Sequence, residues 1–302
     1  MSLLSAKNRI LPALITPLTL EGRLDSASAE RLVEHLLEQG VGGFYVLGST
    51  GEGIYLPSEV REQMLELVVR LARGRGQVIA HVGAVEGAIA LRLAKHAERV
   101  GADAVASIPP FVGRYSWDEV YGFYDLLTQA SSLPVVAYYF PSLTGEAISL
   151  DRLERLLALS GIAGVKVTDT NLYVMQRLSV RLRANQIIYN GPDELLALGL
   201  QFGAHGGIGS TYNLMPKLIL AIAEHCARGE FGEALNIQRR ANEVIEVLLS
   251  FPSLPATKQI LHWQGLIASP ACAAPRAALN DSEQIELRRR LSKTAIADSL
   301  VR

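Results

Sequence analysis

Residues 162–168 read Ile-Ala-Gly-Val-Lys-Val-Thr, a short apolar run that contains a single lysine. Its apolar residues do not alternate with polar ones, which is typical of a parallel strand that is covered on both faces. Similar runs recur along the chain and make eight in all. The predicted strands are residues 11–16, 43–49, 77–83, 102–109, 133–140, 162–168, 186–191 and 204–211.

Segments with helical periodicity separate these runs. Residues 26–40 place Leu32, Val33, Leu36 and Leu37 on one face, and residues 59–73 show a similar apolar face. Ser116 and Glu119 form a capping-box pattern before a further helix. A strand followed by a helix, repeated eight times, predicts an α/β protein with a (β/α)8 TIM barrel. A doubly wound open sheet is the alternative, and eight evenly spaced units favour closure of the sheet.

The chain continues beyond the barrel pattern. We expect the barrel to occupy residues 1–229 and a C-terminal helical extension, residues 230–302, to pack on it. Further helices are predicted at residues 231–249, 256–267 and 281–298, and the Pro- and Ala-rich residues 269–278 are expected to form a loop.

The charge composition excludes several classes of protein. The 302 residues include 29 Lys and Arg against 30 Asp and Glu, so no basic field is available to bind nucleic acid. The uncharged residues 126–145 and 195–216 contain too much Pro and Gly for a membrane-spanning helix. Cys226 and Cys272 are expected to be free thiols in a reducing compartment. Prolines interrupt the apolar run after Lys7 and Arg9, so we expect a cytoplasmic protein rather than a secreted or membrane one.

Functional residues of a βα barrel lie at the C-terminal ends of its strands. Six lysines occur in the sequence, and five of them, Lys258 included, lie among polar or helical neighbours. Lys166 instead lies within an apolar strand, where alternation directs its side chain into the barrel. Burial disfavours an ammonium, and a neutral amine can attack a ketone to form a Schiff base. A buried lysine paired with a carboxylate is the alternative.

Three other strand ends carry candidate ligand-binding groups. Ser49 and Thr50, in the run Gly-Ser-Thr-Gly-Glu at residues 48–52, offer hydroxyl and backbone donors for a carboxylate, although an ordinary turn would look the same. Phosphate is disfavoured because no Lys or Arg lies nearby in sequence. Tyr138 could relay protons, or pack in the core. Asp193 and Glu194 could accept hydrogen bonds from a polyol, or favour the start of a helix.

No metal site is expected. His81 and His205 are isolated in the sequence, and no spacing typical of metal ligands links them to carboxylates or cysteines.

Taken together, these motifs resemble the pyruvate-dependent class I aldolase family of N-acetylneuraminate lyase and dihydrodipicolinate synthase. The resemblance covers residues 11–274, and its anchors are residues 48–52, Tyr138 three residues before Pro141, residues 164–166 and residues 206–213. Residues 79–83, 189–194 and 210–213 are similar to the lyase branch. The synthases carry an arginine for the second substrate where this chain has Leu143, which argues against a synthase.

The chain departs from the family pattern at two places. Synthases use a tyrosine near Phe111 to complete a proton relay across a subunit interface, but here residues 109–115 are one residue longer and place Tyr115 further along. Tyr139 is bulky, and Pro192 precedes the acidic pair. These two residues are expected to reshape the pocket.

The resemblance implies a reaction and a set of roles. Lys166 would form a Schiff base with a 2-keto-3-deoxy sugar acid, most plainly N-acetylneuraminate, and release pyruvate and N-acetylmannosamine with no cofactor and no metal. Tyr138 would move the proton, while the substrate would contact the residues Ser49, Thr50, Thr168, Gly191, Asp193, Glu194, Gly209 and Ser210. A homo-oligomer, a tetramer as in the family, is implied. The alternatives are a 2-keto-3-deoxygluconate-type aldolase, a dihydrodipicolinate synthase-like enzyme and a non-catalytic keto-acid sensor.

Overall fold

The computed structural model describes residues 9–145 and 149–300. Eight strands form one parallel sheet in the order β1-β8-β7-β6-β5-β4-β3-β2. The remaining edges, β1 and β2, meet where the Leu14 amide donates to the Tyr45 carbonyl at 2.9 Å. The sheet therefore closes into a (β/α)8 barrel, which confirms the predicted fold. The strands are β1 (Ile10–Pro12), β2 (Gly43–Val46), β3 (Gln77–His81), β4 (Ala104–Ser107), β5 (Val135–Tyr139), β6 (Ile162–Val167), β7 (Ile187–Asn190) and β8 (Gly206–Gly209).

Each of the eight predicted runs overlaps an observed strand. Only β1 begins outside its predicted run, one residue earlier, at Ile10. The runs extend past the observed strands mainly at their C-terminal ends, because those residues leave the hydrogen-bonded ladder and form the loops at the mouth of the barrel.

Helices alternate with the strands and continue after β8. They are α1 (Ser26–Glu38), α2 (Ser58–Ala72), α3 (Gly87–Val100), α4 (Trp117–Ala130), α5 (Pro141–Thr144), α6 (Leu150–Ala158), α7 (Leu172–Ser179), α8 (Leu196–Gln201), α9 (Pro216–Ala227), α10 (Phe231–Leu249), α11 (Ser253–Trp263) and α12 (Asp281–Leu291). The predicted capping box forms at the start of α4, where the Ser116 hydroxyl accepts from the Glu119 amide and the Glu119 carboxylate accepts from the Ser116 amide.

The last two helices differ from their predicted bounds. Helix α11 begins earlier than expected because Pro255 is tolerated in a first turn, where no amide needs an intrahelical acceptor. Helix α12 stops at Leu291 instead of continuing to residue 298, and the Thr294 amide then donates to the carbonyl three residues back, that of Leu291, at 3.0 Å. A separate short 3-10 turn, Ala297–Leu300, follows.

The strands contribute alternate side chains to two clusters. One set packs against the surrounding helices, and the other fills the barrel interior. The interior combines small residues with two tyrosines, and its buried members are Leu11, Ala13, Tyr45, Ile79, Ala104, Ala106, Val136, Ile187, Tyr189 and Ile208. The barrel is therefore a packed core, and a ligand can enter only above it.

The C-terminal helices share a core with the barrel. Buried residues of α10, α11 and α12 belong to the same apolar cluster as the outward-facing strand residues. Gln238 of α10 accepts from the Ala197 amide at 3.0 Å and donates to the Asp193 carbonyl at 3.1 Å, which ties α10 to the end of β7. The division of the chain at residue 229 stays a prediction.

Across residues 9–145 and 149–300, no helix combines the length and apolarity needed to cross a membrane.

Candidate active site

Three neighbouring strands bring the central residues together. In the register of the barrel, Tyr138 of β5 lies beside Lys166 of β6, which lies beside Tyr189 of β7. Residues that are level in a parallel sheet point to the same side, so all three side chains project inward near the C-terminal ends of their strands. The structure thus brings together the two residues that were predicted to be catalytic.

Lys166 is buried and has a hydroxyl as its polar neighbour. Its side chain is only 6% exposed, and Nζ lies 3.3 Å from the Tyr138 hydroxyl oxygen. Nζ also lies 4.3 Å from the centre of the Tyr138 ring and 5.0 Å from that of Tyr45. Among the described carboxylates, none forms an ion pair with Lys166. The alternative of a structural ion pair is therefore not realised at this lysine.

Aromatic rings fix the position of the Tyr138 hydroxyl. The Tyr138 ring stacks on Phe140 with centroids 5.6 Å apart, and it meets Tyr45 and His81 edge to face at 6.2 and 6.3 Å. Contacts of this kind restrict the rotation of the side chain. These rings hold the phenol against Nζ of Lys166, which is the hydrogen-bond partner that the described residues offer its hydroxyl.

His81 is a neutral part of this aromatic layer. Burial lowers the pKa of the imidazole to about 3, and the charges of Arg61 and Lys166 act in the same direction. Its Nε2 accepts a hydrogen bond from the Ile108 amide at 3.2 Å. His81 therefore supports the rings around Lys166. The described residues contain no cluster of His, Cys, Asp and Glu side chains that could hold a metal ion.

The loop after β2 presents Ser49 and Thr50. Leu47 and Glu52 flank it with φ of 66° and 57°, a left-handed conformation that is uncommon outside glycine. Gly48 packs so closely on Tyr45 that an added Cβ would lie 2.6 Å from the ring. The loop is tightly packed and contains a turn, in which the Glu52 amide donates to the Ser49 carbonyl at 3.2 Å. It leaves Ser49 exposed and Thr50 partly exposed, and their binding of a carboxylate stays a prediction.

A buried ion pair anchors this loop, and sequence analysis missed it. Glu52 and Lys258 of α11 are both fully buried and form an ion pair. Lys258 also donates to the Ala271 carbonyl at 2.7 Å, and Glu52 accepts from the Ala273 amide at 2.7 Å. The partners lie 206 positions apart in sequence, so no local pattern could have paired them. The available signal was weak: Lys258 is surrounded in α11 by apolar and uncharged residues.

Asp193 and Glu194 lie at the end of β7 as predicted. Asp193 is buried, and its Oδ2 accepts from the Thr211 amide at 2.7 Å, the Thr211 hydroxyl at 2.7 Å and the Ser210 hydroxyl at 3.3 Å. Burial raises the pKa of Asp193, although the bonds from Thr211 and the charge of Lys166 oppose the shift. Its Oδ1 has no hydrogen-bond partner in the described part of the chain, and the next residue, Glu194, is half-buried.

The mouth of the barrel opens into two adjoining cavities. A cavity of about 410 Å³, here called the β7 lobe, is lined by Thr168, Gly191, Asp193 and Glu194. A cavity of about 670 Å³, here called the β2 lobe, is lined by Ser49 and Thr50. Three residues line both lobes: Ser210, Ser253 and Thr257. Lys166 and Tyr138 lie beneath and are in neither lining.

Gly191 and Gly209 have a structural reason for lacking a side chain. A Cβ on Gly191 would overlap the Thr168 hydroxyl, and one on Gly209 would overlap Oδ1 of Asp193. These glycines therefore make room for two predicted ligand-binding side chains. Their own approach to a substrate stays a prediction.

Two residues that line the β7 lobe each have a buried polar atom with no hydrogen-bond partner among the described residues. These atoms are the hydroxyl oxygen of Thr168 and Oδ1 of Asp193. Buried polar atoms normally have partners, so these two atoms indicate a place where a ligand or ordered water can complete the bonding.

The structure shows where the residues that depart from the family pattern lie, namely Tyr115, Tyr139 and Pro192. The Tyr115 hydroxyl donates to the Val112 carbonyl at 2.8 Å, so it turns back on its own loop. Tyr139 belongs to the outer cluster, where its hydroxyl donates to Asp169 at 3.1 Å, and lines neither lobe. Pro192 does line the β7 lobe. Of these residues, only Pro192 shapes the described cavity directly.

Comparison with known proteins gives consistent matches over nearly the whole chain. The profile of the dihydrodipicolinate synthetase family matches residues 6–294. The N-acetylneuraminate lyase of Escherichia coli (strain SMS-3-5 / SECEC) is 37% identical over 280 residues, which are 92% of this chain and 94% of that protein. The solved structure of the wild-type sialic acid aldolase from Ruminococcus gnavus has a TM-score of 0.92 at 31% identity, and the match covers 98% of each chain. CdNal from Clostridium difficile, solved in complex with mannosamine, has a TM-score of 0.90 at 27% identity over 95% of this chain and 99% of that one.

Proposed function

This chain belongs to the dihydrodipicolinate synthetase family, and we propose that it is a pyruvate-dependent aldolase that cleaves N-acetylneuraminate to pyruvate and N-acetylmannosamine. One observation carries the proposal: Lys166 is buried at the mouth of the barrel, 3.3 Å from a phenol and with no described carboxylate as an ion-pair partner. Such a lysine is placed to react as a nucleophile.

The first half of the reaction forms the Schiff base. The Lys166 amine adds to the C2 ketone of the open-chain sugar acid and gives a carbinolamine. The Tyr138 hydroxyl then donates its proton to the departing hydroxyl, which leaves as water. The products of this step are a protonated imine on Lys166 and a phenolate on Tyr138, 3.3 Å from the nitrogen.

The second half breaks the carbon–carbon bond. The Tyr138 phenolate accepts the proton of the C4 hydroxyl, assisted by the substrate carboxylate. The C3–C4 electron pair moves into the imine, which leaves an aldehyde at C4 and a neutral enamine of pyruvate on Lys166. Protonation of the enamine at C3 and addition of water then release pyruvate and restore the amine. The imine is the electron sink, so the chemistry proposed for this site needs neither a metal nor an organic cofactor.

The two lobes suggest how the sugar acid lies in the site. Ser49 and Thr50 in the β2 lobe would hold the carboxylate, while Thr168 and Ser210 line the path to the β7 lobe. There Glu194 and the unpartnered Oδ1 of Asp193 would accept hydrogen bonds from the hydroxylated tail of the sugar.

The chain is similar to the lyases, and it has Leu143 where the synthases carry an arginine. Both observations favour cleavage of sialic acid over the synthase reaction. A 2-keto-3-deoxygluconate-type substrate is the nearest alternative. It would place fewer hydroxyls beside Asp193 and Glu194, so turnover on a panel of sugar acids separates the two reactions. We further propose that the protein acts in the cytoplasm as a homotetramer, which sedimentation would measure.

Borohydride reduction in the presence of pyruvate tests the proposed function. We expect a reduced pyruvate adduct on the peptide that contains Lys166, and none on the peptide that contains Lys258, which is also buried. Unmodified Lys166 would contradict the Schiff base. An adduct without any turnover of N-acetylneuraminate would instead support another sugar acid or a keto-acid sensor.

A further inference from the structure

The β2 lobe joins two parts of the chain that are remote in sequence. Ser49 and Thr50 form one side of its lining, and Arg276, from the loop between α11 and α12, lies on another. The sequence near residues 48–52 contains no cation. The fold supplies one from the C-terminal segment.

The buried ion pair holds these two parts together. Glu52, two residues after Thr50, accepts from the Ala273 amide, and its partner Lys258 donates to the Ala271 carbonyl. The segment that carries Arg276 is therefore bonded to the loop that carries the hydroxyls. A fully buried ion pair of this kind resists separation, because opening it would strand a charge in the interior.

The Arg276 guanidinium is oriented but not neutralised. Its Cζ lies 4.4 Å from the centre of the Tyr55 ring, which supports one face of the planar group. Its Nη1 is buried and has no hydrogen-bond partner among the residues that the structure describes. A stacked guanidinium keeps its N–H groups free along the edge, where they can bind a carboxylate in a bidentate way.

The other charged residue in the lining does not occupy Arg276. Glu283 is the only carboxylate among the described residues that line the β2 lobe, and it forms no ion pair with Arg276. Its carboxylate accepts from the Asn280 amide at 2.8 Å as part of the capping box of α12. Among the described residues, the lobe therefore presents one uncommitted cation and the hydroxyls of Ser49, Thr50, Ser210, Ser253 and Thr257.

We propose that Arg276 is a binding residue for the carboxylate of the keto acid, which it contacts in the β2 lobe together with Ser49 and Thr50. The inference rests on the proposed function and adds to it a charged contact from outside the barrel. The carboxylate of the keto acid and a separate oxyanion such as phosphate would both accept hydrogen bonds from the same N–H groups of Arg276. The experiment distinguishes these two sources.

The first test is Arg276→Gln in the full-length protein. This variant removes a charged hydrogen bond to the bound anion. We therefore expect KM for N-acetylneuraminate, and for pyruvate in the reverse direction, to increase about 10-fold or more. We expect kcat to change by less than about 2-fold, because Arg276 does not touch the reacting bonds. Arg276→Lys keeps the charge and should recover part of the loss.

Arg288→Gln is the matched control. Arg288 also lies over an aromatic ring, that of Trp263 at 5.5 Å, and it donates to the Leu300 carbonyl, outside both lobes. The two variants remove the same charge from the C-terminal segment. An equal KM in Arg276→Gln, Arg288→Gln and the wild type would overturn the proposal.

Salt, phosphate and Glu283 give independent readouts. The KM ratio between Arg276→Gln and the wild type should shrink as ionic strength rises, and Glu283→Gln should lower KM by removing the neighbouring negative charge. Inorganic phosphate should inhibit the wild type competitively and Arg276→Gln more weakly. If Arg276→Gln lost phosphate binding but kept its KM for pyruvate, the site would serve a separate oxyanion and the carboxylate assignment would be wrong.

A disturbed loop is distinguishable from a lost contact. Damage to the Glu52–Lys258 region would lower kcat and the melting temperature of Arg276→Gln, and Arg276→Lys would not restore KM selectively. Failure of the proposed function is also separable, since pyruvate at high concentration would then leave no reducible adduct on Lys166 even in the wild type.

Discussion

Lys166 and Lys258 are the two buried lysines in residues 9–145 and 149–300, and their surroundings are opposite in kind. Lys258 meets the carboxylate of Glu52 and the carbonyl of Ala271. Lys166 meets a phenol hydroxyl and the faces of two rings. The amine of Lys258 is held in an ion pair with a carboxylate, whereas the amine of Lys166 lies beside a phenol and has no ion-pair partner among the described carboxylates. Burial alone therefore does not identify a nucleophilic lysine. The nature of its polar neighbour does.

The largest effect is expected when the Lys166 nucleophile is removed. Lys166→Arg keeps a positive charge but cannot form the Schiff base, so turnover of N-acetylneuraminate should fall on the order of 10⁴-fold or more. A coupled assay for pyruvate release measures it. Retention of a few per cent of the activity by Lys166→Arg would remove the distinction between the two lysines.

Breaking the ion pair at Lys258 should affect stability instead. Lys258→Met leaves Glu52 as a buried, unpaired charge, which costs about 3–5 kcal/mol of the free energy of unfolding. The double variant Lys258→Met with Glu52→Gln removes both charges and should recover part of that loss. Urea denaturation measures both. A cost below about 1 kcal/mol for the single variant, as for an exposed pair, would contradict the structural role.

A smaller effect is expected from the hydroxyl beside Lys166. Tyr138→Phe keeps the stacked ring and removes only the proton donor, so kcat should fall by about 10²- to 10³-fold while the adduct with pyruvate still forms. Tyr121→Phe is the control, since its hydroxyl bonds the Arg152 carbonyl away from the barrel mouth. Steady-state kinetics of both variants compare them, and equal kcat values would exclude Tyr138 as the proton carrier.

The last effect, which appears only at acid pH, concerns the neutral ring near Lys166. The pKa of His81 falls from 6.5 to about 3 on burial, so the unfolded state binds more protons below pH 6.5. The stability that this group contributes is fully present above pH 6.5. It is lost as pH falls toward 3, by up to about 1.4 kcal/mol per pH unit.

His81→Gln should flatten this dependence, which urea denaturation at several pH values measures. An unchanged slope between the wild type and the variant would mean that His81 is not held neutral by burial.

Local sequence signals predicted much of the architecture. The apolar runs located all eight strands, because each strand is buried on both faces and needs little beyond apolar residues. The capping box at Ser116 was readable because its two partners lie three residues apart. Lys166 was readable because a charge within an apolar strand is rare. Tyr138 was recognised only through its position at a strand end and the family resemblance.

Other features could not be read locally. Glu52 was quoted within a motif and Lys258 was placed among ordinary helical lysines, since nothing in either segment indicates the other. Arg276 had no role in the sequence analysis for the same reason. Helix α12 was predicted from its first residue, but its early end at Leu291 was not.

The sequence by itself determined the repeating strands and helices, the closed barrel, and the lysine and tyrosine at its mouth, because periodicity and strand ends are local properties. Only the tertiary structure decided which buried lysine is paired, how Asp193 is bonded to Thr211, and which arginine shares a cavity with Ser49 and Thr50. The physical reason is distance along the chain. Ion pairs and cavities form between segments that meet only after the barrel and its C-terminal helices have packed.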